Sequence, residues 1–105
     1  MSTAEILTEM KDRIVQGFHP LKIILFGSHA RGDADRHSDV DLLVVMSEVE
    51  DKRKSALAIR RVLADLPVSK DIIISTPEEI ARKGSLVGTI LRPALREGRV
   101  IYERR

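Results

Sequence analysis

Two short runs of branched apolar residues, 21–26 and 42–45, enclose a turn that begins and ends with glycine. Apolar runs of this length, rich in Ile, Leu and Val, are typical of buried strands. The turn itself, residues 27–32, can bend sharply and bring the backbone close to a ligand, because glycine has no Cβ and tolerates positive φ. The chain is therefore expected to fold around a strand–turn–strand unit.

The second strand, predicted over residues 39–46, begins with two carboxylates. Asp39 and Asp41 are two residues apart, so their side chains project from the same face of a sheet. Taken alone, Asp39 could be only a turn residue or an end-cap at the start of the strand. Asp41 precedes four apolar residues, and burying its charge without a counter-ion would cost on the order of several kcal/mol. A divalent cation would supply that charge, and Mg²⁺ prefers hard oxygen ligands and phosphates.

Gly27 and Ser28 allow two interpretations. They can end a strand through turn geometry alone, or they can form a phosphate cradle in which backbone N–H groups and a hydroxyl face an anion. Their position about a dozen residues ahead of the two carboxylates favours the phosphate cradle.

The sequence predicts one helix before the strand–turn–strand unit and one after it. Ser2 and Glu5 have the spacing of a capping box, and Gly17 lies where a helix-ending glycine belongs. A second helix is predicted over 50–66 and ends before Pro67. Its basic residues are expected to face water, and its inward-facing residues are predicted to be Leu57, Ile59, Val62, Leu63 and Leu66.

The C-terminal half predicts a strand over 70–75, a helix capped by Thr76 and Glu79 that runs to residue 83, a break at Gly84, a helix over 86–97 and a strand over 99–102. This order of elements is typical of an α/β (α+β) domain. We expect a small mixed β-sheet with helices packed on one face.

Composition narrows the functional classes. A chain of 105 residues predicts a single domain, 1–105. The net charge is only +2, and charges of both signs alternate, which argues against direct DNA binding. The absence of cysteine excludes disulfides and thiolate chemistry. No signal-peptide pattern and no membrane-spanning apolar run is evident, so we expect a cytoplasmic protein without a membrane partner.

Residues 27–32 together with 38–42 resemble the G-S-x-A-R-G…S-D-x-D-L signature of the minimal (MNT-type) nucleotidyltransferases in the DNA polymerase β superfamily. The chain length and the order of elements are also similar to that group. The resemblance implies a polymerase β-like nucleotidyltransferase core. Such a core moves a nucleoside monophosphate from a nucleotide triphosphate to an acceptor hydroxyl, using two Mg²⁺ ions held by three carboxylates.

The resemblance also implies roles for individual residues. Gly27 and Ser28 would contact the triphosphate, while Asp39 and Asp41 would bind both metal ions. Asp71 is the only candidate for the third carboxylate, which the family takes from a neighbouring strand. It follows Lys70, where the family usually has an apolar residue.

Two further residues of the motif, Arg31 and Ser38, are expected to belong to the nucleotide-binding set. Arg31 has alternative roles, because it could instead orient the turn, or pair with Asp33 or Asp35.

For single-domain chains of this kind, the resemblance implies an antitoxin that adenylylates a tyrosine of a HEPN-type ribonuclease toxin, with ATP as donor. Two alternatives stay open. One is a small-molecule acceptor, as in the aminoglycoside nucleotidyltransferases. The other is a non-catalytic binding antitoxin with a vestigial nucleotide site. Self-association into a homo-oligomer is compatible with the small core, and the residues alone do not identify the acceptor.

Overall fold

The computed structural model describes residues 1–35, 37–83 and 91–104. Its elements are α1 (Thr3–Phe18), β1 (Lys22–Phe26), α2 (Ser28–Arg31), β2 (Val40–Val45), α3 (Lys52–Val62), β3 (Lys70–Ser75), α4 (Pro77–Lys83), α5 (Leu91–Glu97) and β4 (Arg99–Glu103). The predicted α/β class is confirmed. The predicted break at Gly84 and the start of the helix predicted over 86–97 lie outside the described residues. In the described ranges, no helix is long and apolar enough to cross a membrane.

The four strands form one mixed sheet in the order β3-β2-β1-β4. Strand β1 is antiparallel to both β2 and β4, whereas β2 and β3 are parallel. The register pairs Phe26 with Asp41, and Asp41 with Asp71. The end of β1 and the starts of β2 and β3 therefore meet at one end of the sheet.

Apolar side chains cover both faces of this sheet. On one face, Met10 and Ile14 of α1 and Ile59 of α3 are fully buried in the larger core. On the other face, a smaller core contains Ala94 of α5, with Ile80 of α4 packed against it. The prediction that the helices pack on one face is therefore wrong. Strand β1 has consecutive buried residues that point to alternate faces, and such a strand needs cover on both sides.

Helix α1 begins as predicted and ends later than predicted. The hydroxyl of Ser2 accepts from the backbone N–H of Glu5 at 3.2 Å, and the Glu5 carboxylate accepts from the N–H of Ser2, which confirms the capping box. The helix continues through Gly17 and is capped by His19 in the left-handed conformation, at φ 50°. Gly17 is therefore not the helix-ending residue. Pro20 follows His19, and proline commonly comes directly after a cap because it cannot continue a helix.

Helix α3 ends at Val62, so the prediction that it continues to Leu66 is wrong, and it buries fewer of the predicted residues. Leu63 is the C-cap, and Leu66 lies beyond the helix. Ile59 and Leu63 are fully buried and Leu66 is nearly so, whereas Leu57 and Val62 are 49% and 40% exposed. The inward prediction is therefore wrong for those two residues, because a helix buries only the stripe that faces its neighbours. The basic side chains predicted to face water are exposed, namely those of Lys52, Arg53, Lys54, Arg60 and Arg61.

The start of α4 is tied to the end of β3. Thr76 caps the helix as predicted, since its hydroxyl accepts from the backbone N–H of Glu79 at 3.2 Å. The Glu79 side chain makes other contacts: it accepts from the hydroxyl of the fully buried Ser75 at 2.8 Å and from the ammonium group of Lys52. These bonds join α3, β3 and α4 at the end of the sheet remote from Asp41.

Candidate active site

The glycine turn after β1 lies directly against a carboxylate. Gly27 has φ 75° and ψ −157°, a backbone conformation that is essentially restricted to glycine. A Cβ atom at this position would overlap Oδ2 of Asp41 and lie 3.2 Å from its Cγ. Glycine is therefore required at position 27 both by its backbone conformation and by its contact with Asp41.

The turn continues into the single-turn helix α2. The carbonyl oxygen of Gly27 accepts from the N–H groups of Ala30 and Arg31, each at 3.1 Å. Gly32 ends the helix in the left-handed conformation, at φ 86°. The first N–H groups of a helix have no partner within it, so Ser28 begins a segment whose N–H groups can face an anion.

The three predicted carboxylates come to the same end of the sheet. Asp41 is the second residue of β2 and lies opposite Asp71 on the parallel strand β3. Two residues in register on neighbouring strands project from the same face. Asp39 lies one residue before β2, near enough to Asp41 for its charge to raise the pKa of that carboxyl. Asp39 is exposed, while the other two are partly buried. The sequence motif and the strand register together bring these acidic groups close to the turn.

The neighbouring charges act on the pKa of Asp41. Burial is the largest cause that raises this pKa above its usual value, and repulsion from Asp71 and Asp39 raises it further. His29 and Arg31 oppose the rise by stabilising the carboxylate. Ionised Asp41 is thus electrostatically disfavoured among these groups, and a cation beside it would relieve the cost.

The Asp71 carboxylate already has a cationic partner. The Nη2 atom of Arg60, on α3, donates to Oδ1 of Asp71 at 3.3 Å and to the carbonyl oxygen of Lys70 at 3.4 Å. Sequence reasoning assigned Arg60 only to a solvated helix face. Arg60 and Asp71 are eleven residues apart and lie on different elements, so no helix or strand periodicity relates them. Only the packing of α3 against β3 reveals the contact.

Hard oxygen donors of this kind suit Mg²⁺, which binds carboxylates and phosphate oxygens. Within the described ranges, no three His, Cys, Asp or Glu side chains lie close enough together to hold a metal ion as they stand. Asp39, Asp41 and Asp71 are therefore neighbours at one end of the sheet rather than a closed set of ligands. Their chemistry fits a divalent cation, while the side chain of Asp71 is engaged by Arg60.

Arg31 lies between two acidic side chains. Its Nε is 3.3 Å from Oδ2 of Asp33, and its Nη1 is 3.5 Å from Oε2 of Glu97 on α5. The pairing with Asp33 is one of the roles expected from the sequence. The guanidinium also lies close enough to Asp41 to lower the pKa of that carboxyl.

Ser38 organises the loop that leads into β2. Its hydroxyl accepts from the backbone N–H of Asp35 at 3.0 Å and donates to the Asp35 carboxylate at 3.3 Å. The carbonyl oxygen of Ser38 is 3.4 Å from Nε2 of His29 on α2. Ser38 thus holds the segment just before Asp39 against the glycine turn.

A cavity of about 420 Å³ lies at the other end of the same sheet face. Ile24 and Val45 of the sheet and Ile80 of α4 contribute to its lining, together with the charged residues Lys22, Glu103 and Arg104. Asp39, Asp41 and Asp71 are not among its lining residues. The acidic groups lie instead at an open end of the sheet, where Asp39 is exposed to solvent.

A comparison with protein families matches residues 4–97 to a family described as a nucleotidyltransferase domain. A Methanocaldococcus jannaschii protein, provisionally named a protein adenylyltransferase, is 35% identical over 71 residues, which cover 68% of this chain and 65% of that protein. The protein adenylyltransferase MntA of Thermococcus cleftensis is 31% identical over 97 residues, or 92% of this chain and 88% of the relative.

Among solved structures, a crystal structure of a toxin–antitoxin with AMP-PNP matches with a TM-score of 0.60 and 17% identity. The match covers 99% of this chain and 76% of that one. At this level of identity the likeness shows a shared fold.

Proposed function

The chain belongs to the nucleotidyltransferase domain family, and on this basis we propose that it transfers AMP from ATP to a hydroxyl group on a partner protein. The family and the enzyme class predicted from the sequence motif are confirmed by that membership. The observation that carries the proposal is the close contact of Gly27 with Asp41, which puts a phosphate-type turn beside a group of carboxylates. A triphosphate and its cations need these two features side by side.

In the proposed reaction, the acceptor oxygen attacks the α-phosphorus of ATP and its hydroxyl proton passes to solvent. The bond from the α-phosphorus to the oxygen that bridges to the β-phosphate breaks, and pyrophosphate leaves. The backbone of Gly27 and Ser28 holds the triphosphate, with Arg31 and Ser38 supporting the turn. Asp39, Asp41 and Asp71 would hold two Mg²⁺ ions. When bound, these ions lower the pKa of the acceptor hydroxyl and offset charge on the leaving group. Most of the rate acceleration then comes from positioning and charge stabilisation.

We propose a tyrosine of a HEPN-type toxin as the acceptor, so that the chain acts as the antitoxin of a pair. Two findings support this choice: the Thermococcus relative is named a protein adenylyltransferase, and a structural neighbour is a toxin–antitoxin with AMP-PNP. The exposure of Asp39 also supports a protein acceptor. A hydroxyl on another protein's surface can reach an open sheet end, whereas small ligands are usually held in enclosed pockets.

The test uses the full chain, Mg²⁺ and the candidate toxin, taken as the protein encoded by the neighbouring gene, with ATP labelled in either the α- or the γ-phosphate. Label from the α-phosphate should appear on the toxin, and mass spectrometry should find one AMP on a tyrosine. Label from the γ-phosphate should not appear. Removal of Mg²⁺ with a chelator should abolish the transfer.

Variants decide which groups carry the reaction. Asp39→Asn and Asp41→Asn should abolish labelling, and Asp71→Asn should reduce it strongly. Asp12→Asn is the matched control, because Asp12 is a half-exposed acid on α1 that pairs with Lys11. If the Asp39 and Asp41 variants still neutralise the toxin and no label ever appears, the chain is a binding antitoxin. Label on an aminoglycoside instead would identify a small-molecule acceptor.

A further inference from the structure

We propose that Arg60 is a positioning residue that occupies Asp71 until a divalent cation displaces it, and that it thereby lowers the affinity of the carboxylate site for metal. This inference rests on the proposed function, because it concerns the same three carboxylates. It adds a basic residue of α3 to a site that otherwise consists of the glycine turn and the ends of three strands.

The geometry of the contact between Arg60 and Asp71 is the first argument for this proposal. A single guanidinium nitrogen, Nη2, donates both to Oδ1 of Asp71 and to the carbonyl oxygen of Lys70. The carbonyl contact holds the guanidinium at the start of β3. The contact with the carboxylate is single, whereas strong arginine–carboxylate pairs use two parallel bonds. Arg60 therefore engages one oxygen of Asp71 through a bond that can be exchanged.

The solvent exposure of Arg60 and Asp71 is the second argument. The side chains of Arg60 and Asp71 are 50% and 49% exposed, respectively. Ion pairs between exposed groups contribute little, because water and salt screen them. A doubly charged ion bridging several carboxylates would compete well with such a pair. Once displaced, the guanidinium of Arg60 would still lie near the bound ion and repel it, because in the structure its Nη2 is 3.3 Å from Oδ1 of Asp71.

The arrangement of the three acids is consistent with this competition. In the part of the chain that the structure describes, no three ligand-type side chains are gathered tightly enough to bind a metal. Asp71 lies in register with Asp41, yet its carboxylate is engaged by Arg60. Removing the guanidinium should leave the charge of Asp71 fully available to a cation shared with Asp41.

The next residue on α3 supplies a matched control. Arg61 is exposed, and it forms no ion pair with any residue in the described ranges. Arg60→Gln and Arg61→Gln remove the same charge from the same helix, so a difference between them reports on the contact with Asp71. Arg60→Lys keeps the charge and shows whether a cation alone is sufficient.

The test is binding of Mn²⁺ to the full chain without nucleotide, measured from the paramagnetic resonance of the free ion. Arg60→Gln should bind Mn²⁺ about fivefold more tightly than Arg61→Gln, a factor in the range of weak surface ion pairs. Arg60→Lys should stay close to the wild type. The difference between the two glutamine variants should shrink as ionic strength rises, because salt screens exposed charges. A purely structural role for Arg60 would not produce this salt dependence.

Three outcomes separate the inference from the proposed function. Equal affinities for Arg60→Gln and Arg61→Gln, or weaker binding by Arg60→Gln, overturn the role of Arg60. If Asp71→Asn still weakens Mn²⁺ binding in that case, the carboxylate site and the proposed function stand. If neither Asp41→Asn nor Asp71→Asn changes the affinity, or if no variant binds saturably, the metal site fails and both proposals fall with it.

Discussion

The backbone of Gly27 lies so close to the carboxylate of Asp41 that a single added carbon would overlap Oδ2. Gly27 directly follows β1, and Asp41 is the second residue of β2. The antiparallel register, which pairs Phe26 with Asp41, brings the two residues together. The turn and the central carboxylate are therefore in direct contact. A change in either residue should affect the other.

Substitution of the two turn glycines separates backbone strain from this contact. Gly27 and Gly32 both have positive φ, but a Cβ on Gly32 would meet no atom within 4 Å. Gly32→Ala should lower the free energy of unfolding by about 1 kcal/mol, which is the cost of a left-handed non-glycine residue. Gly27→Ala should cost more than about 2 kcal/mol, because its conformation is restricted to glycine and the new methyl group displaces Asp41.

Denaturant unfolding and AMP transfer, measured together on both variants, check this prediction. Gly32→Ala should retain transfer, whereas Gly27→Ala should lose it even at temperatures where the variant is folded. Equal losses of stability and activity in the two variants would show that the contact with Asp41 has no separate importance.

Replacement of Asp41 by asparagine should stabilise the fold and remove the proposed metal-binding carboxylate. The pKa of Asp41 is raised, above all by burial and then by Asp71 and Asp39. A carboxyl whose pKa is raised in the folded state prefers to be protonated there. The free energy of unfolding therefore falls as pH rises through the raised pKa, because the folded protein must then hold the charged form. Asp41→Asn should therefore raise the free energy of unfolding at neutral pH, by less than about 1 kcal/mol because solvent screens the site.

Melting temperatures as a function of pH test the sign of this effect. The advantage of Asp41→Asn should vanish below the usual aspartate pKa of about 4, where the carboxyl is protonated in both states. Mg²⁺ should raise the melting temperature of the wild type and leave that of the variant unchanged, because only the folded wild type would bind the ion. A variant less stable than the wild type at neutral pH would contradict the prediction.

Asp65 should behave in the opposite way. Its pKa is lowered, above all by its hydrogen bond with Arg13 of α1, whose Nη1 lies 2.5 Å from Oδ1 of Asp65. A lowered pKa means that the ionised carboxylate stabilises the folded state above the usual aspartate pKa, and that this stability is lost as pH falls through the lowered value. Asp65→Asn should lower the melting temperature at neutral pH. The two proteins should converge in acid, and a constant difference across pH would argue against the ion pair.

Alanine substitutions in α3 test which of its faces is buried. Ile59 is fully buried in the larger core, whereas Leu57 is half-exposed on the other side of the helix. Ile59→Ala should cost about 2–5 kcal/mol, because it removes buried carbon and leaves a cavity. Leu57→Ala should cost about 1 kcal/mol or less. Urea unfolding of both variants measures the difference, and similar costs would mean that the helix is rotated relative to the structure.

Local patterns predicted most of the elements because caps and periodicity act within a few residues. The capping box at Ser2 and Glu5 was predictable from spacing alone, and β3 has the predicted limits. The same reasoning misplaced the end of α1, since Gly17 and His19 are both reasonable helix ends and the chain selects the one followed by proline. It also misjudged Leu57 and Val62, whose apolar character says nothing about the direction from which the sheet approaches.

The sequence by itself determined the strand–turn–strand unit and the motif around Gly27 and Asp41, and it supplied the three candidate acids. These follow from side-chain alternation and from glycine's conformational freedom, which are properties of short segments. Only the tertiary structure decided that Asp71 pairs in register with Asp41, that Arg60 reaches Asp71, and that α4 and α5 cover the second face of the sheet. Register and helix packing depend on burying apolar surface across the whole domain, and no short segment contains that information.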